Sequence, residues 1–116
     1  MEEYLIITQK ELCEKYEITF FDTPFDLKVG VSLNVKDGIL PINGLRHPVT
    51  QNTSGWYIWA GEEFNTDPDF FKPLHIFHLI DWCPDVIKYL GLPPGYRFLI
   101  ADGYEDVWTD DSLLLL

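Results

Sequence analysis

The sequence predicts an α+β fold: a largely antiparallel sheet with an N-terminal helix and a helical pair packed on one face. Two observations support this class. Strand-type alternation dominates residues 27–60 and returns on both sides of an Asp-Gly pair near residue 102, whereas helical spacing is confined to residues 9–16 and 74–90. A chain of 116 residues is expected to form a single domain, 1–116, with one self-sufficient core.

The N-terminal helix is predicted over residues 9–16. Thr8 and Glu11 have the spacing of a capping box, which places Thr8 at the N-cap. Leu12 and Tyr16 would then share the buried face. The apolar residues 4–7 form either a short first strand or a lead into this helix.

Two strands are predicted next. Apolar residues alternate without a break over residues 27–35, which is the period of a strand. Asp37-Gly38 marks a turn. Residues 39–46 form a second strand, and its Pro41 and Gly44 indicate an edge or irregular position.

An aromatic motif, Ser-Gly-Trp-Tyr-Ile-Trp-Ala-Gly-Glu-Glu at residues 54–63, contains the next strand. On the strand period, Trp56 and Ile58 share one face, and Tyr57 and Trp59 share the other. Large side chains on both faces indicate either a central strand covered on both sides or a strand with one face used for binding. We assign Trp56 to the core and Trp59 to the outer face.

The helical pair covers residues 74–82 and 85–90. Ile76, Leu79 and Ile80 have helical spacing in the first helix, and Pro84 suits the first position of the second. The second helix is expected to end at Gly91.

A hairpin closes the sheet. Asp102-Gly103 separates two short apolar and aromatic runs, residues 98–101 and 104–108. An Asp-Gly pair between strands is a strong signal for a two-residue hairpin turn.

The charge is strongly acidic and unevenly placed. Nineteen Asp and Glu oppose eight Lys and Arg, for a net charge of -11, and eleven of the acids lie in residues 61–116. Such a surface repels nucleic acid and anionic membranes and attracts basic partners. No apolar run approaches the ~20 residues that span a bilayer. The acidic start, Met1-Glu2-Glu3, argues against an export signal, so we expect a cytoplasmic protein with reduced Cys13 and Cys83.

The sequence predicts no catalytic residue, no cofactor and no metal. His75, His78 and Cys83 lie within nine residues, but zinc needs a fourth ligand that the neighbouring sequence does not supply. No serine or cysteine has the setting of a catalytic nucleophile. One alternative is a small carbohydrate-binding or hydrolytic domain with an acidic aromatic cleft. Another is a homodimeric structural subunit that buries the leucine tail, residues 113–116.

Protein binding is the better-supported function, because tryptophan and tyrosine are enriched among residues that dominate interface energies. Here aromatic side chains lie within acidic segments, where a basic partner could place cations over the rings and pair with the carboxylates. We therefore predict a partner-binding set of Trp59, Glu62, Glu63, Asp67, Asp69, Tyr104, Glu105 and Asp106.

The aromatic motif resembles the signature of the bacterial immunity protein 33 family, in which Asp or Ser and then Gly-Trp open a strand that ends in Gly and an acid. The similarity covers roughly residues 27–101 and includes Val29-Gly30-Val31-Ser32 and Leu45-Arg46-His47-Pro48. The resemblance implies a non-enzymatic protein that neutralises a cognate toxin by occluding its active site. The implied partner is a toxin with a basic surface, bound by a monomer or weak homodimer.

Overall fold

The computed structural model describes residues 2–51, 53–61 and 70–114. Its sheet has six strands in the order β4-β1-β3-β2-β5-β6, and every neighbouring pair is antiparallel except β1 and β3. The strands are β1 (Lys28–Ser32), β2 (Ile42–Arg46), β3 (Thr53–Ala60), β4 (Phe71–His75), β5 (Tyr96–Ala101) and β6 (Tyr104–Thr109). The helices are α1 (Glu2–Lys15) and α2 (Ile76–Trp82), with 3-10 helices at Leu33–Asp37, Pro84–Tyr89 and Asp111–Leu114. The predicted α+β class is confirmed.

Helix α1 is longer than predicted, and the capping box is wrong. Thr8 lies inside the helix, where its hydroxyl donates to the carbonyl oxygen of Leu5 at 2.6 Å. A threonine that bonds back to the preceding turn continues a helix instead of starting one. The apolar residues 4–7 are therefore helical, and Leu12 and Cys13 carry the buried face.

The first predicted strand is shorter than its alternation suggested. The strand ends at Ser32, and a 3-10 helix takes Leu33–Asp37. Val35 remains buried because one turn of this helix returns it to the core. Gly38 ends the turn with a left-handed φ of 74°, a conformation that glycine adopts at low cost.

Strand β2 lies between β3 and β5, so the predicted edge position is wrong. Pro41 precedes the strand and removes no hydrogen bond from its interior. Gly44 is required by packing: a Cβ atom there would lie 2.1 Å from the ring of Phe98.

The segment after residue 70 also differs from prediction. Phe71–His75 forms edge strand β4, and α2 begins only at Ile76, whereas helical spacing had suggested residue 74. Pro84 does open the next helical segment, which is a 3-10 helix and ends at Tyr89. The hairpin of β5 and β6 around Asp102-Gly103 is confirmed.

The two faces of the sheet are covered differently. The main core lies between the sheet and the helices, and includes Trp56, Ile58 and Phe98. On the opposite face a smaller cluster of Leu45, Trp59 and Leu113 is buried with help from neighbouring aromatic rings. No helix in the described ranges is long and apolar enough to cross a membrane.

Candidate partner-binding site

The core half of the aromatic motif is as predicted. Trp56 is fully buried, its indole N–H donates to the carbonyl oxygen of Leu90 at 3.2 Å, and its ring packs against Phe98. Trp56 and Ile58 both belong to the main core. This half of the motif fixes the sheet to the helical layer and is closed to solvent.

The outer half of the motif differs from our expectation. Trp59 does lie on the face opposite Trp56, but it is only 2% exposed. Leu45 and Leu113 pack with it, and the ring of Phe71 meets its ring edge-on at 6.2 Å. Leu113 of the C-terminal 3-10 helix and the rings of Phe70 and Phe71 therefore pack on this face, and Trp59 is buried where the sequence had suggested an exposed side chain.

Gly55 explains why the motif opens with Ser-Gly. Its φ is 89°, and a Cβ atom there would lie 2.0 Å from the carbonyl oxygen of His47. The Ser54 hydroxyl, beside it, donates to the carbonyl oxygen of Lys28 at 2.9 Å and so ties β3 to β1. Both residues are buried and hold the strands in register.

Arg46 is a buried cation whose importance the sequence did not reveal. Its side chain is 0% exposed, and its guanidinium carbon lies 4.8 Å from the ring centroid of Phe21 and 5.6 Å from that of Trp56. Burial lowers its pKa to about 10, although nearby Asp22 opposes that shift. The guanidinium donates to four backbone carbonyls, those of Ser54, Leu90, Leu92 and Asp22.

The β5–β6 hairpin separates the three site residues predicted there. Tyr104 is 56% exposed and Asp106 is exposed. Alternation puts both on the face opposite Glu105. Trp108 lies on the same face as Asp106. The guanidinium carbon of Arg97, its neighbour on β5, lies 5.4 Å from the centroid of the Trp108 ring.

Glu105 is the centre of a polar cluster that joins α1, the second 3-10 helix and β6. One carboxylate oxygen accepts hydrogen bonds from Lys15 Nζ and Tyr16 Oη, both at 2.6 Å. The other accepts from Tyr89 Oη at 2.5 Å and lies 3.9 Å from Lys88 Nζ. The carboxylate is thus engaged within the fold, so its predicted role as a free contact charge is revised.

The pKa values within this cluster reflect that arrangement. Burial would raise the pKa of Glu105, but the hydrogen bonds from Lys15, Tyr16 and Tyr89 outweigh it and hold that pKa at about 2. Burial and the hydrogen bond to Glu105 raise the pKa of Tyr16 to about 12, and the same causes raise that of Tyr89 further. The carboxylate is therefore charged, and both phenols are protonated, throughout the physiological range.

Four predicted site residues, Glu62, Glu63, Asp67 and Asp69, lie outside the described residues. Their part in binding stays a prediction from the sequence. Of the predicted set, the structure therefore brings together Tyr104 and Asp106 on one exposed face.

The metal and thiol candidates do not assemble into a site in the described ranges. The rings of His75 and His78 have centroids 6.4 Å apart, and Cys83 is buried, which raises its thiol pKa. Within residues 2–51, 53–61 and 70–114, no three His, Cys, Asp or Glu residues are placed to hold a metal ion. Cys13 and Cys83 are both free thiols.

Fold and site together define a small α+β domain that presents an acidic, aromatic edge strand. A family model described as the Imm33-like domain matches residues 8–110, which covers the whole sheet. The chain belongs to this Imm33-like family, as the aromatic motif had suggested. No curated protein and no solved structure matches it.

Proposed function

We propose that this chain is an immunity protein that neutralises a cognate toxin by binding it and occluding its active site. The observation that carries the proposal is the Imm33-like match over residues 8–110. The match includes both faces of the sheet and the complete β5–β6 hairpin. The protein acts by binding, without catalysis of its own.

The charge distribution supports a basic partner. Among acidic side chains whose exposure the structure describes, Glu105 and Asp110 form ion pairs, and the others are exposed without one. Of the cations, Arg46 is buried and Arg97 is paired with Asp110. The surface is therefore dominated by uncompensated carboxylates, which speed association with a basic surface.

The proposed contact surface is a revised form of the predicted set. Tyr104 and Asp106 remain in it because they are exposed on one face of β6. Glu62, Glu63, Asp67 and Asp69 remain in it on the evidence of the sequence alone. Trp59 leaves the set, and Glu105 supports the surface by holding β6 against the helices.

The carbohydrate-binding alternative has less support. It requires a tryptophan face on which a sugar can stack, and Trp59 is only 2% exposed. Trp108 already contacts the Arg97 guanidinium. Glu105 and Asp106 point to opposite faces of β6, so these two carboxylates do not form an acid pair.

The proposal is tested by growth rescue, with a candidate toxin domain taken from a reading frame next to the gene for this chain. That domain should arrest growth when it is expressed alone, and co-expression of this chain should restore growth. A variant chain that folds but carries Asp106→Lys should rescue less well than one carrying Asp37→Lys. Arrest that continues in the presence of folded wild-type chain would refute neutralisation of that toxin.

The proposed electrostatic contribution to association is tested by stopped-flow measurements with that toxin domain, purified and inactivated. The association rate constant should fall steeply between low and physiological salt, because the Debye length shrinks to about 8 Å at 0.15 M. Asp106→Lys should slow association several-fold, a change carried mainly by the on-rate. Asp37→Lys is the matched control: it makes the same charge change in the segment after β1, a strand that β3, β2 and β5 separate from β6. Equal rates for both variants would exclude β6 from the interface.

A further inference from the structure

Strand β6 forms one edge of the sheet and leaves half of its backbone groups facing outward. Asp110 N–H donates to the carbonyl oxygen of Gly95 at 2.7 Å, and this bond shows which residue pairs of β5 and β6 are hydrogen-bonded. In an antiparallel ladder, bonded and non-bonded pairs alternate. The bonded pairs are then those of Tyr104, Asp106 and Trp108 with β5. The N–H and C=O groups of Glu105, Val107 and Thr109 point away from β5, and within the described residues they have no backbone partner.

The two edges of the sheet differ in how they are protected. Edge strand β4 contains Lys72 and Pro73, two residue types that natural proteins use to block strand addition. Strand β6 contains neither lysine nor proline and pairs with β5 over six consecutive residues without a bulge. Its open side is therefore a template for another strand.

The side chains on β6 indicate which strand would fit. An added antiparallel strand would bond to Glu105, Val107 and Thr109. Its residues opposite Tyr104, Asp106 and Trp108 would then occupy non-hydrogen-bonded pairs, where side chains approach most closely. On the β5 side the chain already places a cation against this face of β6: the Arg97 guanidinium lies 5.4 Å from the Trp108 ring centroid, and its Nη1 lies 3.3 Å from an Asp110 carboxylate oxygen.

We propose that the open edge of β6 binds an extended, basic segment of the partner protein as a seventh strand. Lysine or arginine side chains of that segment would lie beside Asp106 and over the exposed ring of Tyr104. The inference rests on the proposed function for the identity of the partner. It adds the contact through which this chain would hold that partner. Charge argues against a second copy as the occupant, because self-pairing would bring the Asp106 side chains of two chains of net charge -11 together.

Amide hydrogen exchange of the full chain tests the edge without needing the toxin. The probe is a disulfide-cyclised β-hairpin peptide whose outer strand alternates lysine with valine, and the control peptide has glutamate in place of lysine. The basic hairpin should slow exchange of the Glu105, Val107 and Thr109 amides about tenfold or more. The acidic hairpin should leave them unchanged. Binding of the basic hairpin without protection of these amides, or no binding, overturns strand addition. Protection in the free chain together with a dimer in sedimentation would assign the edge to a second copy.

Two substitutions remove the outward N–H groups without touching the β5 ladder. Val107→Pro deletes the central outward donor, and a proline is tolerated at such an edge position. If Val107→Pro fails to fold, because Val107 also packs against the core, Thr109→Pro deletes an outward donor at an exposed position. The folded variant should bind the basic hairpin at least about tenfold more weakly, since main-chain pairing supplies affinity in strand addition.

The same variants separate the two proposals. Unchanged hairpin affinity in the folded proline variant would overturn strand addition while leaving growth rescue intact. If no rescue occurs but the edge amides are protected, strand addition stands and the toxin assignment fails.

Discussion

Replacing Glu105 with glutamine is expected to lower the free energy of unfolding by about 3 kcal/mol at neutral pH. The Glu105 side chain is 20% exposed, and its carboxylate accepts hydrogen bonds from Lys15, Tyr16 and Tyr89. Glutamine has the same length, but it carries no charge, and its amide NH2 group, a donor, takes the place of one acceptor oxygen. The substitution therefore weakens the junction between α1, the second 3-10 helix and β6 without leaving a cavity.

The magnitude follows from the pKa of Glu105. Burial opposes ionisation, yet the three hydrogen bonds bring the pKa from 4.5 to about 2. At about 1.4 kcal/mol for each tenfold change in proton affinity, the folded state favours the carboxylate by about 3 kcal/mol. For a domain of this size the melting temperature should fall by more than about 10 °C.

The pH dependence gives the sharper test. A depressed carboxyl pKa contributes stability that is present above the unfolded value, near 4.5, and is lost as the pH falls through about 2. Urea unfolding of wild type and Glu105→Gln should thus differ by about 3 kcal/mol at pH 7 and converge near pH 2. Asp106→Asn, on the adjacent exposed residue, is the control and should change little. A gap that persists unchanged at pH 2, or a variant as stable as wild type at pH 7, would refute the reasoning.

Three further outcomes are expected. Stability should also fall as the pH rises from 10 towards 12, because the pKa values of Tyr16 and Tyr89 are raised on folding; the stabilisation is complete below the unfolded pKa near 10 and is lost as the pH rises towards the folded values. Alkaline unfolding followed by circular dichroism measures this loss. Gly55→Ala should cost more than about 3 kcal/mol, because its Cβ would meet a backbone oxygen 2.0 Å away, whereas Gly61→Ala, with φ of 96° and open space, should cost only about 1 kcal/mol in denaturant melts. Arg46→Lys should lose about 3 kcal/mol, because one ammonium cannot serve four carbonyls, and thermal melting tests it.

The parts of the fold that the sequence predicted are those with a local cause. Asp102-Gly103 defines a turn by its own backbone preferences, and the strands on both sides follow. The two faces of β3 could be assigned because side chains alternate on any strand, and the structure confirms that Trp56 and Trp59 lie on opposite faces. Pro84 is a similar case, since its fixed φ suits the start of a helical segment.

The errors come from positions where distant contacts decide. Thr8 has the residue type of a cap, but the packing of the preceding apolar turn extends α1 past it. Gly44 looks like a strand breaker in sequence, and only the ring of Phe98 reveals that it permits close packing in a central strand. The exposure of Trp59 is mispredicted because no local signal in the sequence indicates that Leu113 covers its ring.

The Glu105 cluster lay beyond sequence reasoning for the same reason. In the sequence, Glu105 and Asp106 cannot be told apart by role, because both are acidic residues next to each other in one predicted strand. Their difference arises from Tyr16, 89 residues earlier in the chain, and Tyr89, 16 residues earlier, which meet only one of the two carboxylates. Alternation could show that the two acids face opposite ways, but not which face the helices would occupy.

The aromatic motif and the acidic hairpin therefore have separate roles. Trp56 and Trp59 are buried on opposite faces of β3, and Gly55 is held against a neighbouring backbone, so this part of the motif stabilises the fold and is closed to solvent. Contact has to come from surfaces that the fold leaves open, and β6 combines exposed side chains, uncompensated charge and unpaired backbone groups. The Glu105 cluster connects the two roles, because it holds the inner face of β6 to the helices while Tyr104 and Asp106 on the other face stay exposed, as the proposed contact with a partner requires.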